Sequence, residues 1–193
     1  MTAISVAPTS ERQRAIAVVN AAFRNDPVSR WVYPDDAVYE SAFPRIIEAM
    51  SGRAFDQDSA YATSDLGGVA LWLPPGIHSD GDAMGALMSE TVAQEMMDDL
   101  NGFAEVQAAM HIHEPHWYLP MIGVEPQHQG KGYGSQLLSH ALAIADRDGL
   151  PAYLESTTPD SRRLYERHGF EVVGEIQFGS SPCMWPMRRE PRS

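Results

Sequence analysis

Gly130, Gly132 and Gly134 take every second position of the short stretch Gln127 to Gly134, which also carries Gln129, Lys131 and Tyr133. Glycines spaced this way let neighbouring backbone N–H groups turn toward one point with no Cβ in the way. Ser135 follows, and then Leu137, Leu138, Ala141, Leu142 and Ala145 recur at helical spacing. A helix beginning here adds unpaired N–H donors and the positive end of its dipole. The chemistry this combination suits is anion binding, and the loop reads as a phosphate cradle. It is not a Walker A loop, because Lys131 lies between glycines with no Ser or Thr after it. It is not a dinucleotide fingerprint either, because Ser135 stands where the third glycine belongs.

The elements that must hold this loop can be read on both sides of it. Trp117 to Val124 is an apolar, β-prone run that breaks at Glu125-Pro126, so the loop joins a strand to a helix. Ala152 to Thr157 alternates as the next strand, with Tyr153, Glu155 and Thr157 on one side and Ala152, Leu154 and Ser156 on the other. Pro159 to His168 predicts a short helix ended by Gly169. Phe170 to Phe178 and Cys183 to Met187 predict the last strands, with a polar tail from Arg188. Upstream, Ile4 to Ala7 predicts a strand, and Ser10-x-x-Gln13 a capping box for a helix up to about Arg24. Asn25-Asp26-Pro27 is expected to be a turn, and Val28 to Pro34 a loop. There Trp31 and Tyr33 either line an acceptor pocket or plug the core. Tyr39 to Met50 predicts an amphipathic helix, and Ala60 to Thr63 with Val69 to Leu73 a hairpin. Asp82 to Met110 is helical by pattern with a break expected at Gly102. Its stripe of Met88, Val92, Met96, Leu100, Phe103 and Val106 is either core or an adaptable wall for an apolar substrate.

The motif Gln129-Gly130-Lys131-Gly132-Tyr133-Gly134 has the form Q-x-x-G-x-G, and Tyr165-Glu166-Arg167-His168-Gly169-Phe170 has the form Y-x-x-x-G-F. Both resemble the GNAT superfamily of N-acetyltransferases, and the wording from Glu114 to Val172 is similar to its puromycin N-acetyltransferase subgroup. That resemblance implies one α/β domain over residues 1–193, with its cofactor half in residues 116–188. The implied fold is a mixed, mostly antiparallel sheet of six to seven strands, split at the central strand and flanked by helices. It also implies acetyl-CoA as co-substrate and direct acetyl transfer to the primary amine of a small molecule. A protein amine, or a non-catalytic sensor role, is the alternative. By the same resemblance, backbone around Ile122, Gly123 and Val124 holds the acetyl carbonyl and pantetheine arm, and residues 129–135 hold the pyrophosphate. Tyr165 is the acid for the leaving thiolate. Glu155 is the base or the ammonium's partner, with His113 or His116 second. Thr158 stands where many members carry Asn, seven residues before the tyrosine.

Composition sets the remaining bounds. At 193 residues and 44% hydrophobic content the chain can bury one sizeable core. A net charge of −12 argues against nucleic acid and suits a cationic partner such as an amine. No apolar run approaches a bilayer span or a signal core, so a cytoplasmic protein is expected. The lone Cys183 excludes an internal disulfide and reads as inert core. His111 and His113 would share one face, but no further Cys or His is spaced to complete a metal site, and no metal is expected. A homodimer through an exposed strand edge is left open.

Overall fold

The computed structural model describes residues 2–192. Seven strands form one sheet in the order β1-β2-β3-β4-β5-β7-β6. They are β1 (Ile4–Val6), β2 (Ala60–Thr63), β3 (Gly68–Leu73), β4 (Trp117–Val124), β5 (Ala152–Ser156), β6 (Glu171–Val172) and β7 (Trp185–Arg189). Only the β4–β5 pair is parallel. The helices are α1 (Arg12–Ala22), α2 (Pro27–Val32), α3 (Asp36–Ser51), the single turn α4 (Arg53–Asp56), α5 (Gly81–Thr91), α6 (Met97–Met110), α7 (Tyr133–Asp148) and α8 (Pro159–Arg167).

Strand periodicity sorts the core into two layers. In β3, Val69, Leu71 and Leu73 pack with α1, α3 and α5, while Ala70 and Trp72 pack with α7 and α8. That is the period of two expected of a strand covered on both faces. In β4 the parity changes midway. Trp117 and Leu119 face α7, but Met121 faces α1 and Ile122 faces α7. The cause is a β-bulge, since Leu71 pairs with Met121 whereas Leu73 pairs with Tyr118. Pro120 sits inside it, where a residue with no N–H to give a ladder is tolerated.

The same point opens the sheet. β4 and β5 pair over Trp117–Ala152, Tyr118–Tyr153 and Leu119–Leu154 and no further, while β4 stays paired to β3 as far as Val124. From Pro120 onward β4 and β5 diverge, and the space between them becomes a cleft. Gly123 lies beside it because α1 crosses there. A Cβ at Gly123 would come within 2.9 Å of Val19 Cα and of Ala22 Cβ.

Several sequence expectations need correction. Ser10 does not cap α1: it lies in a 3-10 turn over Thr9–Glu11, and Glu11 at the N-cap makes no side-chain capping bond. Val28 to Val32 is helix α2 and not loop; Asp26 caps it, accepting from the N–H of Val28 and Ser29, with Pro27 in its first turn. Asp82 to Met110 breaks after Thr91 and not at Gly102, which lies inside α6. Near the C-terminus, Phe170 to Phe178 shortens to the two-residue β6 plus one isolated bridge, Ile176–Met184. β7 takes in Arg188 and Arg189 from the expected tail. Arg189 has reason to be there. Only 4% exposed, it makes a two-point ion pair with Asp146 of α7 and donates to the His168 carbonyl.

Candidate active site

The glycine loop is built on the end of β4. Pro126 to His128 forms a 3-10 turn, and Gln129 folds back so that its amide donates to the Val124 carbonyl at 3.1 Å. Gly130 and Gly132 then take φ of +73° and +83°, a left-handed geometry that a side chain would strain. Tyr133 begins α7, and its hydroxyl donates to Asp65 at 2.7 Å while its ring stacks on His128. The first bond of the helix runs from Gln136 N–H to the Gly132 carbonyl. Among the described residues, the N–H groups of residues 130–135 donate to no protein acceptor. The Ser135 hydroxyl pairs with His168 Nε2 at 2.9 Å. That ring's Nδ1 donates to the Leu164 carbonyl at 2.9 Å, and its Nε2 also lies 3.2 Å from the Ser135 carbonyl. Lys131 is exposed at the loop's rim and lies outside the lining of the cleft.

A cavity of about 1080 Å³ runs from this loop through the β4–β5 cleft to the space beneath α3, α5 and α6. Ile122, Gly123, Val124, Gln129, Gly130, Gly132, Tyr133, Gly134, Ser135 and Thr158 line it at the loop end. Glu155, Tyr165, Tyr33 and Asp26 line it further in. Trp31 does not line it: its indole N–H donates to Ser180 and its ring packs on Phe103. Tyr33 is 2% exposed and hydrogen-bonds Thr91, so it is core and wall together. Thr158 caps α8, accepting from Ser161 N–H at 3.1 Å.

Glu155 lies one residue past the last β4–β5 pair, where the strands part. Its side chain is 5% exposed. Tyr118 donates to its Oε2 at 2.9 Å, and the Gln107 amide approaches Oε1 at 3.5 Å. Behind it, outside the cavity lining, His111 Nδ1 lies 3.7 Å from Oε1 with its ring partly exposed. The histidine nearest this carboxylate is therefore His111, not His113 or His116. His113 is exposed, and His116 instead contacts the Glu114 carbonyl. Burial, then the charge of Glu155, hold the Tyr118 phenol well above its usual pKa.

Tyr165 reaches the cavity from α8. It is 7% exposed, and among the described residues its hydroxyl makes no hydrogen bond. Burial, then the negative charge of Asp26, push its pKa up, so the phenol keeps its proton through neutral pH. Asp26 itself is spent. One oxygen accepts from Val28 N–H, Ser29 N–H and Ser29 hydroxyl, and the other accepts from Thr157. Gln107, Tyr118, His111 and the Asp26–Thr157 tie were all missed in the sequence. Only Asp26 left a signal, as an N-cap residue before proline.

An N–H-rich loop at a helix start, a strand pair that splays beside it and a buried phenol at the junction form one arrangement. The acetyltransferase (GNAT) family model matches residues 49–170. The chain belongs to the GNAT acetyltransferase family. An uncharacterised N-acetyltransferase of Schizosaccharomyces pombe is 30% identical over 94% of this chain and 80% of its own length. Among solved structures, that of histone acetyltransferase HPA2 and related acetyltransferase from Corynebacterium glutamicum superposes with a TM-score of 0.72. It is 23% identical and covers 100% of this chain and 98% of its own. Arylalkylamine N-acetyltransferase 2 from Aedes aegypti gives 0.67 at 12% identity, covering 98% and 99%. At these identities the two structures speak to the GNAT fold alone, and family membership makes the chain an acyltransferase.

Proposed function

We propose that this GNAT enzyme moves the acetyl group of acetyl-CoA directly to the primary amine of a small molecule. The observation that carries the reading is the single cavity joining the unpaired N–H groups of residues 130–135 to Glu155 and Tyr165. The loop suits a polyanion such as the cofactor's phosphates, because those donors have no protein acceptor and sit at a helix N-terminus. Backbone at Ile122, Gly123 and Val124 borders the cleft beyond the point where β5 stops pairing, which leaves room for an extended pantetheine arm.

Acetyl-CoA supplies the acetyl group as a thioester whose sulfur leaves as a thiolate. The chain's own residues handle the protons. An alkyl ammonium has a pKa of about 10.4, so it must shed a proton before it attacks. Glu155 accepts that proton or orients the ammonium while Tyr118 holds one carboxylate oxygen, and His111 offers a route from Glu155 to solvent. Tyr165 gives its proton to the sulfur as the C–S bond breaks, and the tyrosinate so formed takes back the proton that the acylated nitrogen sheds.

The test is thiol release from acetyl-CoA by the purified protein across primary amines, confirmed by one added acetyl on the amine by mass. Release with any small amine supports the reading. Acetyl-CoA bound without release on any small or peptide amine would replace it with a non-catalytic role.

A further inference from the structure

Beyond Glu155 the lining of the same cavity changes character. α6 borders it, presenting Gln107, Ala104, Phe103 and Leu100 in sequence. At a rise of about 1.5 Å per residue, the path from Gln107 to Leu100 is about 10 Å long. The Gln107 end is polar, since that amide approaches Glu155. The Leu100 end is walled by Phe43, Ile46 and Met50 from α3 and by Met84 and Met88 from α5.

Charge in the lining is confined to the other end. Asp160 is an exposed partner of Arg163 at the start of α8. Asp26 already accepts from three groups on α2 and from Thr157. Glu155 is thus the interior carboxylate with acceptor positions left over, since a carboxylate offers about four lone-pair sites. An ammonium stripped of water needs such a partner, and a second ammonium about 10 Å away would find methyl, methylene and aromatic groups with the Tyr33 hydroxyl, but no lining carboxylate.

Resting on the acetyl-transfer reading, we infer that the acceptor is a monoamine with an uncharged, apolar arm of about 10 Å. Its ammonium docks at Glu155, and the arm fills the chamber of Phe43, Ile46, Met50, Met84, Met88 and Leu100. Each methylene moved from water onto that wall adds affinity. The three methionines let the wall fit an alkyl or an aryl arm, because an unbranched thioether side chain adapts its rotamers to its neighbour. The chamber selects against diamines and polyamines, whose far cation has no carboxylate to meet.

Octylamine and 1,8-diaminooctane test this directly, being equal in length and differing by one terminal ammonium. Two readouts are needed: calorimetric binding of each amine to the protein alone, and kcat/KM for each with acetyl-CoA. Octylamine should bind at least 30-fold more tightly and show a correspondingly higher kcat/KM. Met88→Glu, at a partly exposed position, places a carboxylate in the far wall and should narrow or reverse that preference. The wild-type comparison holds even if the variant folds poorly. Equal or tighter binding of the diamine, or no binding of octylamine, would overturn the inference. Acetylation confined to polyamines or peptide amines would overturn it while leaving the transferase reading standing. Octylamine bound selectively but never acetylated would do the reverse.

Discussion

Tyr165 and Glu155 enter one cavity with opposite preparation. The phenol has no internal hydrogen-bond partner and a raised pKa, so it is a loaded donor with nothing in the protein to give its proton to. The carboxylate is held from two sides, by Tyr118 and Gln107, and so is aimed. Tyr165→Phe removes an oxygen that no protein group uses, so folding and acetyl-CoA affinity should hold while kcat falls about 100-fold or more. Steady-state kinetics beside cofactor titration separates the two, and an unchanged kcat would remove Tyr165 as the acid. Glu155→Gln keeps an oxygen that can accept from Tyr118. It should lower kcat/KM for a cationic amine most at neutral pH and least at high pH, where the amine sheds its own proton. A uniform loss at every pH would assign Glu155 to orientation alone.

At the scale of elements, the site depends on one left-handed turn and one close approach that suit glycine. Gly132 at φ +83° is the N-cap of α7, and Gly123 lets α1 lie on β4. Gly132→Ala should cost about 1 kcal/mol through left-handed strain, whereas Gly132→Glu also puts a carboxylate among the cradle's N–H groups. Isothermal titration should show a modest loss for the first and loss of acetyl-CoA binding for the second; retained binding in the second would move the cradle elsewhere. Gly123→Val meets the backbone of Val19 and should cost about 1–3 kcal/mol by overpacking, read as a lower urea midpoint. The loop and strands were legible in the sequence because their signals are local: glycine spacing, alternation in Val69 to Leu73, the Y-x-x-x-G-F ending. The break after Thr91 was not, because the apolar stripe runs on through Val92 and Met96 while the chain turns between two helices. The β4 bulge was hidden for a related reason, since a single unpaired residue shows only against its partner strand. Asp26–Thr157 and Gln107–Glu155 join residues 131 and 48 positions apart, and no spacing rule reaches that far.

The whole molecule concentrates tyrosines between its sheet and helices, and that sets its response to alkali. Tyr33, Tyr39, Tyr61, Tyr118, Tyr153 and Tyr165 all have raised pKa values, with burial the largest cause in each. A group whose folded pKa lies above its unfolded value of about 10 gives its full stability below that pH. The stability drains as pH rises toward the folded value, because the unfolded chain then releases a proton that the folded chain retains. Each such phenol contributes a slope of about 1.4 kcal/mol per pH unit. The urea midpoint should therefore be flat between about pH 8 and 9 and fall steeply beyond about pH 10. Tyrosinate absorbance should rise together with unfolding, not ahead of it. Tyr165→Phe should remove one phenol's share of the slope while leaving the midpoint at neutral pH in place. A folded protein whose tyrosines titrate one by one near pH 10, with secondary structure intact, would mean that the cavity and core admit hydroxide freely. The apolar chamber beyond Glu155 would then be too wet to discriminate between one ammonium and two.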